Sequence, residues 1–313
     1  MIKSSILPIC LFLLFGSCTA NKESPNLDFI PLADLQKDSF QDKTGGLYAN
    51  GSNRIPKNHY KEGLKHSSMI EKLDQSGQAD SNGNIILLGL GFSTAAMTFN
   101  TASIILNYKN TYPSIDYISG AQGGQDINKM TDSKAEYWKT ISARLDSAGL
   151  SENQVQIAWL STGDLEAGNL SLKEHIAYLL PKYSAVLKNL KLHYQNLQIV
   201  FISDRTFAGY INSPAATSLK EPSAYYNGFV VQQLINNQVL EVEGFTYNEL
   251  PFIDWGPQLW TNGRYGDSHG YKWLPNDAGD GGIHPSPKGK VKEGIRLYLY
   301  LEQHPYLKSI SAQ

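Results

Sequence analysis

The sequence predicts an α/β fold in which a central parallel β-sheet is covered by helices on both faces. Short apolar runs alternate with longer amphipathic segments from about residue 84 onward, and this alternation is typical of parallel sheets. The first run, residues 85–88, is Ile-Ile-Leu-Leu, as expected of a strand that is buried on both faces. We therefore expect about five strands between two helical layers.

The same pattern places the individual elements along the chain. The predicted strands cover residues 85–88, 114–118, 155–160 and 197–202. The predicted helices cover residues 94–108, 132–149, 172–194, 223–238 and 287–303. Polar residues that favour helix starts support two of these helices: Asp132 or Ser133, with Glu136 in the first turn, and Ser171. Because parallel sheets bind ligands beyond the carboxyl ends of their strands, the residues after each strand are the first candidates for a site.

The first 18 residues have the pattern of an export signal. A basic start is followed by an apolar stretch, residues 6–15, that is too short to span a bilayer comfortably. Small residues then precede Cys18, and this ending resembles the bacterial lipobox, in which the cysteine becomes the lipidated first residue of the mature protein. Because Thr19 follows rather than an acidic residue, we expect anchoring in the outer membrane. The alternative is a plain signal peptide with a chance cysteine.

Three regions follow from composition: a signal of residues 1–18, a polar tether with an irregular entry at 19–60, and a domain at 61–313. The only cysteines are Cys10 and Cys18, so acylation of Cys18 leaves a mature chain without a thiol or a disulfide. This excludes cysteine catalysis and cysteine-ligated zinc. The net charge of -2 and the scattered basic residues lack the concentrated basic face that nucleic-acid binding requires.

Ser93 is the candidate nucleophile. It lies in the segment Gly-Leu-Gly-Phe-Ser-Thr at 89–94, between the first predicted strand and its helix. There its side chain projects at the carboxyl edge of the sheet, and its backbone N–H can donate to a developing oxyanion. A helix N-cap is the alternative role. A dinucleotide fingerprint would need glycine at Thr94, and a nucleophile elbow would need glycine at Ala95, so both motifs are excluded.

His284 is the candidate base. It belongs to the segment Asp-Gly-Gly-Ile-His-Pro-Ser at 280–286. A serine nucleophile requires a base that takes its proton and an acid that orients the base, and this loop contains both residue types. An ordinary His-Pro loop is the alternative, but the nearby Asp280, the flexible glycines and the candidate serine favour catalysis.

These two segments resemble the first and last blocks of SGNH (GDSL-like) hydrolases, usually Gly-Asp-Ser and Asp-x-x-His-Pro. The resemblance to an uncharacterised bacterial group of this superfamily extends over roughly residues 84–300. It includes 120–124, Trp159, 204–210, Glu221-Pro222 with Tyr225, and 255–257 with Trp260. The resemblance implies a three-layer α/β/α, flavodoxin-like fold. It also implies acyl transfer by Ser93, His284 and Asp280, without metal or organic cofactor.

Two departures from the family pattern concern the residues beside the triad. Phe92 stands where the family usually has Asp, a residue outside the triad. Asp280 precedes His284 by four residues rather than three. Glycines at 281 and 282 can form a bulge that absorbs the extra residue, and Asp277 is the alternative acid.

A third departure concerns the oxyanion hole. The family's third block normally supplies an Asn to this hole, whereas residues 160–164 read Leu-Ser-Thr-Gly-Asp. We therefore expect the donors to be the backbone N–H groups of Ser93 and Gly124, together with the Thr162 hydroxyl. Loss of one donor predicts a slow or even inactive enzyme.

The expected substrate is an acylated glycan, for example an O-acetylated one. Aromatic platforms suit sugar rings, and Trp255, Trp260 and Trp273, with Arg205, are the expected substrate contacts; packing against the core is the alternative for these aromatics. Arg205 and Glu221 are also expected to form an ion pair that fixes their loops. Two other functions stay open: a non-catalytic surface protein that binds a glycan or a partner, and a lipase or thioesterase.

Overall fold

Five parallel strands form the central sheet of the structure, a computed structural model that describes residues 29–310. A small antiparallel hairpin, β1 (Ser39–Phe40) and β2 (Lys43–Thr44), precedes the sheet. The sheet strands are β3 (Ile85–Gly91), β4 (Ile115–Ser119), β5 (Val155–Ser161), β6 (Ile199–Ile202) and β7 (Phe252–Trp255). Their order in space is β4-β3-β5-β6-β7, which is the flavodoxin-like order.

Eight α-helices accompany these strands within the described residues. They are α1 (Leu32–Leu35), α2 (Lys57–Ser67), α3 (Ser93–Lys109), α4 (Glu136–Ser147), α5 (Leu172–His193), α6 (Ser223–Val239), α7 (Pro287–Gln303) and α8 (Pro305–Ile310). None of the helices in this part of the chain has the length and apolar character needed to cross a membrane.

The helices form one layer on each face of the sheet. Alternate residues of β3 point to opposite faces: Leu88 joins an apolar cluster with α4, α5 and α6, and Leu87 joins a second cluster with α3, α7 and α8. Burial on both sides explains why β3 is apolar along its whole length. The predicted three-layer α/β/α fold is therefore confirmed.

The N-terminal part of the described chain packs on this domain. Leu32, Leu35 and Tyr48 are buried in the cluster that contains α6, and Phe29 stacks on Tyr225 with ring centroids 4.7 Å apart. Residues 29–60 therefore pack on the domain as an irregular segment, and they also contain the start of α2. Widely spaced apolar side chains are sufficient to dock this irregular segment.

Helices α3 and α7 lie side by side, and their contact positions the two candidate catalytic segments. Gly294 of α7 packs so closely against Thr101 of α3 that a side chain at 294 would overlap it. Ser93 is the first residue of α3, and His284 lies just before α7. The packing of these helices therefore brings together two residues that are 191 positions apart.

Candidate active site

Ser93 begins α3 directly after the turn that ends β3. Gly91 has φ of +131°, and a Cβ there would overlap the Ser161 carbonyl oxygen, so the turn requires glycine. The backbone N–H of Ser93 belongs to the first turn of α3, where N–H groups have no intrahelical acceptor. This end of β3 lies beside β5, at the point where the strand order reverses, which is the usual ligand position in such sheets.

The structure brings His284 to Ser93. Their Oγ and Nε2 atoms are 2.8 Å apart, a normal hydrogen-bond distance. The imidazole is exposed and Ser93 is half-buried, so reagents from solvent can reach the pair. The Gly279 N–H donates to the His284 carbonyl at 2.7 Å, which fixes the loop, and Ser286 caps α7 by accepting from the Gly289 N–H.

The predicted acid, Asp280, is not brought to His284. Its side chain is exposed, and within residues 29–310 no carboxylate forms a hydrogen bond or ion pair with His284. Gly281 and Gly282 do adopt positive φ, at +71° and +75°. However, the Gly281 carbonyl accepts from the Asn212 N–H at 3.0 Å, so the bulge docks on the neighbouring loop and leaves Asp280 at the surface.

The alternative acid, Asp277, is engaged elsewhere. Its side chain is buried and forms an ion pair with Lys292 of α7. It also accepts from the Leu274 N–H at 2.8 Å, and Lys288 lies 3.7 Å from its other oxygen. Asp277 therefore fastens the loop to α7, and the candidate site contains a serine–histidine dyad.

A cavity of about 260 Å³ opens beside the dyad. Ser93, Gly124, Arg205 and His284 supply its polar edge. The rest of the wall is mainly apolar and is formed by Phe92, Leu165, Phe207, Ala208, Ile211, Ala216, Leu219, Trp273, Ile283 and Pro285. Such a lining suits the hydrocarbon part of a small ligand.

Of the expected oxyanion donors, two residues line the cavity and one does not. Ser93 and Gly124 are at its wall, and Gly124 has φ of +70° with open space where a Cβ would stand. Thr162 is completely buried, is absent from the cavity wall, and its hydroxyl has no hydrogen-bond partner among the described residues. The prediction for Thr162 is therefore wrong, because its side chain faces the interior.

The expected aromatic platform is also largely missing. Trp273 lines the cavity. Trp255 and Trp260 are buried at other places, where their indole N–H groups donate to the Leu47 carbonyl and the Glu221 carboxylate. Both rings serve packing, so the prediction that they contact substrate is wrong.

Arg205 lines the cavity, but its predicted ion pair with Glu221 does not form among the residues that the structure describes. The Glu221 carboxylate instead accepts from the N–H groups of Ala208 and Tyr225 and from Trp260. Three such donors satisfy the carboxylate without the guanidinium. Burial raises the pKa of Glu221, while these hydrogen bonds and the Arg205 charge oppose that effect.

Glu293 is a candidate functional residue that the sequence analysis missed. It is completely buried in α7 and accepts hydrogen bonds from the hydroxyls of Thr98 in α3 and Thr206 in the cavity wall. Burial raises the pKa of Glu293 to about 7. Its spacing from Leu297 and Leu301 places it on the buried face of α7, a signal that could have revealed it.

Comparisons with known proteins concern the fold. No family model and no curated protein matches the chain. Among solved structures, it is similar to a protein assigned as an SGNH hydrolase from Slackia heliotrinireducens, with 13% identity and a TM-score of 0.40, over 70% of this chain and 100% of that chain. It is also similar to the periplasmic domain of a lipopolysaccharide acetyltransferase from Salmonella ser. Paratyphi A, with 13% identity and a TM-score of 0.39, over 76% of this chain and 94% of that chain.

Proposed function

We propose that this protein is a serine ester hydrolase, with Ser93 as the nucleophile and His284 as the base. The observation that carries the proposal is the 2.8 Å contact between Ser93 Oγ and His284 Nε2 at the edge of the cavity. A nucleophile within hydrogen-bond reach of its base is the arrangement that acyl transfer requires. The flanking Gly124 and the helix N-terminus at Ser93 supply backbone donors.

The proposed reaction has two acyl-transfer steps. His284 Nε2 accepts the Ser93 proton while Oγ bonds to the ester carbonyl carbon, and the carbonyl π electrons move to its oxygen. When these electrons return, the bond to the alcohol oxygen breaks, and that oxygen takes the proton from His284. Water then repeats the sequence on acyl-Ser93 and releases a carboxylic acid. Because no carboxylate orients the imidazole in the described residues, we expect slow turnover.

The cavity favours substrates whose acyl group has several carbons. Its wall is mainly apolar, and burying apolar surface there contributes favourably to binding, on the order of 0.8 kcal/mol for each CH₂ group. The expectation of a glycan rested on the aromatic residues before the catalytic loop, Trp255, Trp260, Tyr265, Tyr271 and Trp273, and of these only Trp273 lines the cavity. We therefore propose a short-chain ester of unspecified alcohol, and a panel of esters and thioesters tests this choice.

The cellular location remains part of the proposal. Cys18 lies outside the described residues, so lipidation, export and outer-membrane anchoring rest on the sequence pattern of residues 1–18. In this proposal the hydrolase acts on esters outside the cytoplasm, close to the membrane that holds its anchor.

Reaction with a fluorophosphonate probe tests the nucleophile. We expect labelling of the wild type, no labelling of Ser93→Ala, and much slower labelling of His284→Gln, since only an activated serine reacts. Ser103→Ala is a matched control, because Ser103 lies in the same helix, is not part of the cavity wall, and donates its hydroxyl to the Asn100 carbonyl. A folded wild type that neither reacts nor hydrolyses p-nitrophenyl butyrate would favour a non-catalytic binding protein.

A further inference from the structure

Arg205 is a buried cation that lines the same cavity as the candidate nucleophile and has one unused donor. Its side chain is 6% exposed and lines the cavity with Ser93 and Gly124. One terminal nitrogen donates to Ser223 Oγ at 3.3 Å and the other to the Leu219 carbonyl at 3.1 Å. The buried Nε has no hydrogen-bond partner among residues 29–310. A buried N–H without an acceptor is costly, so its presence requires an explanation.

The surrounding charges do not pair directly with this guanidinium. Within residues 29–310, Arg205 forms no ion pair, and Asp164 pairs instead with Lys182 at 2.6 Å. Glu221 lies close enough to interact electrostatically, but its oxygens accept from other groups. No carboxylate therefore contacts the Arg205 guanidinium directly within residues 29–310, and its positive charge can attract an anion in the cavity.

Two departures from the SGNH pattern meet at this side chain. Phe92 replaces the usual Asp, and its ring centroid lies 5.9 Å from the Arg205 guanidinium carbon. Gly163 lies in the segment that lacks the usual Asn, and a Cβ at this position would be 2.6 Å from Arg205 Cδ and 3.1 Å from Nε. Glycine at 163 thus makes room for Arg205, and phenylalanine at 92 leaves it without a carboxylate partner.

We propose that Arg205 is a catalytic residue that stabilises the oxyanion formed during acyl transfer, in place of the missing Asn. This inference rests on the proposed function. As Ser93 Oγ bonds to the carbonyl carbon, negative charge develops on the carbonyl oxygen. This oxygen accepts hydrogen bonds from the Ser93 and Gly124 N–H groups, and the positive charge of Arg205 stabilises it. When the C=O double bond forms again, this negative charge disappears and the interaction with Arg205 weakens. Arg205 therefore stabilises the transition state more than the ground state.

An anionic group on the substrate is the other negative charge that could occupy this position. A carboxylate in the acyl chain would interact with Arg205 before the reaction begins, so replacing Arg205 would raise KM. The oxyanion exists only during the reaction, so losing its interaction with Arg205 lowers kcat. The apolar character of the rest of the cavity wall favours an uncharged acyl chain and therefore the oxyanion.

Steady-state kinetics of Arg205→Gln and Arg205→Lys on two esters separate these roles. The esters are p-nitrophenyl butyrate, which is neutral, and p-nitrophenyl hemisuccinate, which carries a carboxylate. We expect Arg205→Gln to lower kcat about 100-fold to 1000-fold on both esters with little change in KM, as loss of an oxyanion donor does. Arg205→Lys, which retains the charge, should recover part of the loss.

Arg296→Gln is the matched control. Arg296 is partly buried, donates to the Gln258 carbonyl and pairs with Asp267 at 2.9 Å, so its loss removes comparable contacts away from the cavity. We expect its kcat to stay within about threefold of the wild type. An unchanged kcat on the butyrate in Arg205→Gln would overturn the inference, as would a loss confined to KM for the hemisuccinate.

A crystal structure of the wild type carrying a phosphonyl group on Ser93 provides a test that does not depend on variant folding. We expect a phosphonyl oxygen within hydrogen-bond distance of Arg205, and an oxygen that contacts only backbone N–H groups would overturn the inference. A wild type that hydrolyses neither ester and does not react with the probe would instead refute the proposed hydrolase, and the role of Arg205 with it.

Discussion

Replacing Glu293 with Gln should stabilise the folded protein at pH 8 and destabilise it by about 1 kcal/mol near pH 4. Both Glu293 oxygens accept from threonine hydroxyls in the folded state, one of them from Thr98 at 2.7 Å. Burial, together with the negative charges of Asp204 and Asp277, raises the pKa of Glu293 from 4.5 to about 7. At pH 8 the wild type must therefore keep an unfavourable buried charge, whereas Gln is neutral at every pH.

The direction and the size of the effect follow from proton linkage. Because the folded pKa is above the unfolded pKa, the contribution of protonated Glu293 to stability is fully present below pH 4.5 and is lost as the pH rises through 7. A difference of about 2.5 pKa units, at about 1.4 kcal/mol per unit, corresponds to roughly 3 kcal/mol. The amide nitrogen of Gln cannot accept a hydrogen bond, so one of the two threonine hydroxyls must reorient, at a cost of about 1 kcal/mol. We expect Glu293→Gln to be more stable by about 2 kcal/mol at pH 8.

Urea unfolding of both proteins at pH 4.5, 6 and 8 measures this difference. Glu136→Gln is the control, because the Glu136 side chain is 80% exposed and its replacement should change stability equally at each pH. A stability difference for Glu293→Gln that is independent of pH, or that favours the variant most at pH 4.5, would show that the buried carboxylate is not the cause.

Four further predictions concern the site and the anchor. Asp280→Asn should keep kcat within about threefold, since its carboxylate is exposed, and a thousandfold loss would restore it as the acid. Asp277→Asn should lower Tm by weakening its ion pair with Lys292, whereas a lower kcat at unchanged Tm would identify it as the acid. Leu219→Ala should widen the cavity and shift preference toward longer acyl chains in an ester panel; an unchanged profile would exclude Leu219 from the acyl site. Cys18→Ser should abolish incorporation of radiolabelled palmitate, and persistent incorporation would refute the lipid anchor.

The extent to which the sequence predicted the fold depended on burial. Strands such as β3 are apolar throughout because helices cover both of their faces, and this makes them visible as short runs. Strand β7 has no recognisable sequence pattern, because it has only four residues and contains Asp254. That aspartate is buried, and the Tyr48 and Tyr306 hydroxyls bond to it at 2.5 and 3.2 Å. Its partners lie far away in sequence, so no local pattern could indicate that a charged residue belongs in this strand.

The candidate site shows the same division between local and distant causes. Ser93 and His284 lie in short segments whose own residues form the strand-to-helix turn and the loop before α7, and their proximity was predictable. The direction of Asp280 depends on how its glycine turn docks against the loop at Asn212. Likewise, Trp260 points toward Glu221 because of packing between distant segments. Neither orientation has a local signature.

The close packing of α3 against α7 also determines when the site comes into being. His284 follows Ser93 by 191 residues, and it reaches the serine only where α7 packs against α3. Contacts over such long sequence separations form slowly, and a chain truncated before residue 284 carries Ser93 without this proton acceptor. Activity of the proposed hydrolase site should therefore appear late during refolding, after α7 has docked on α3.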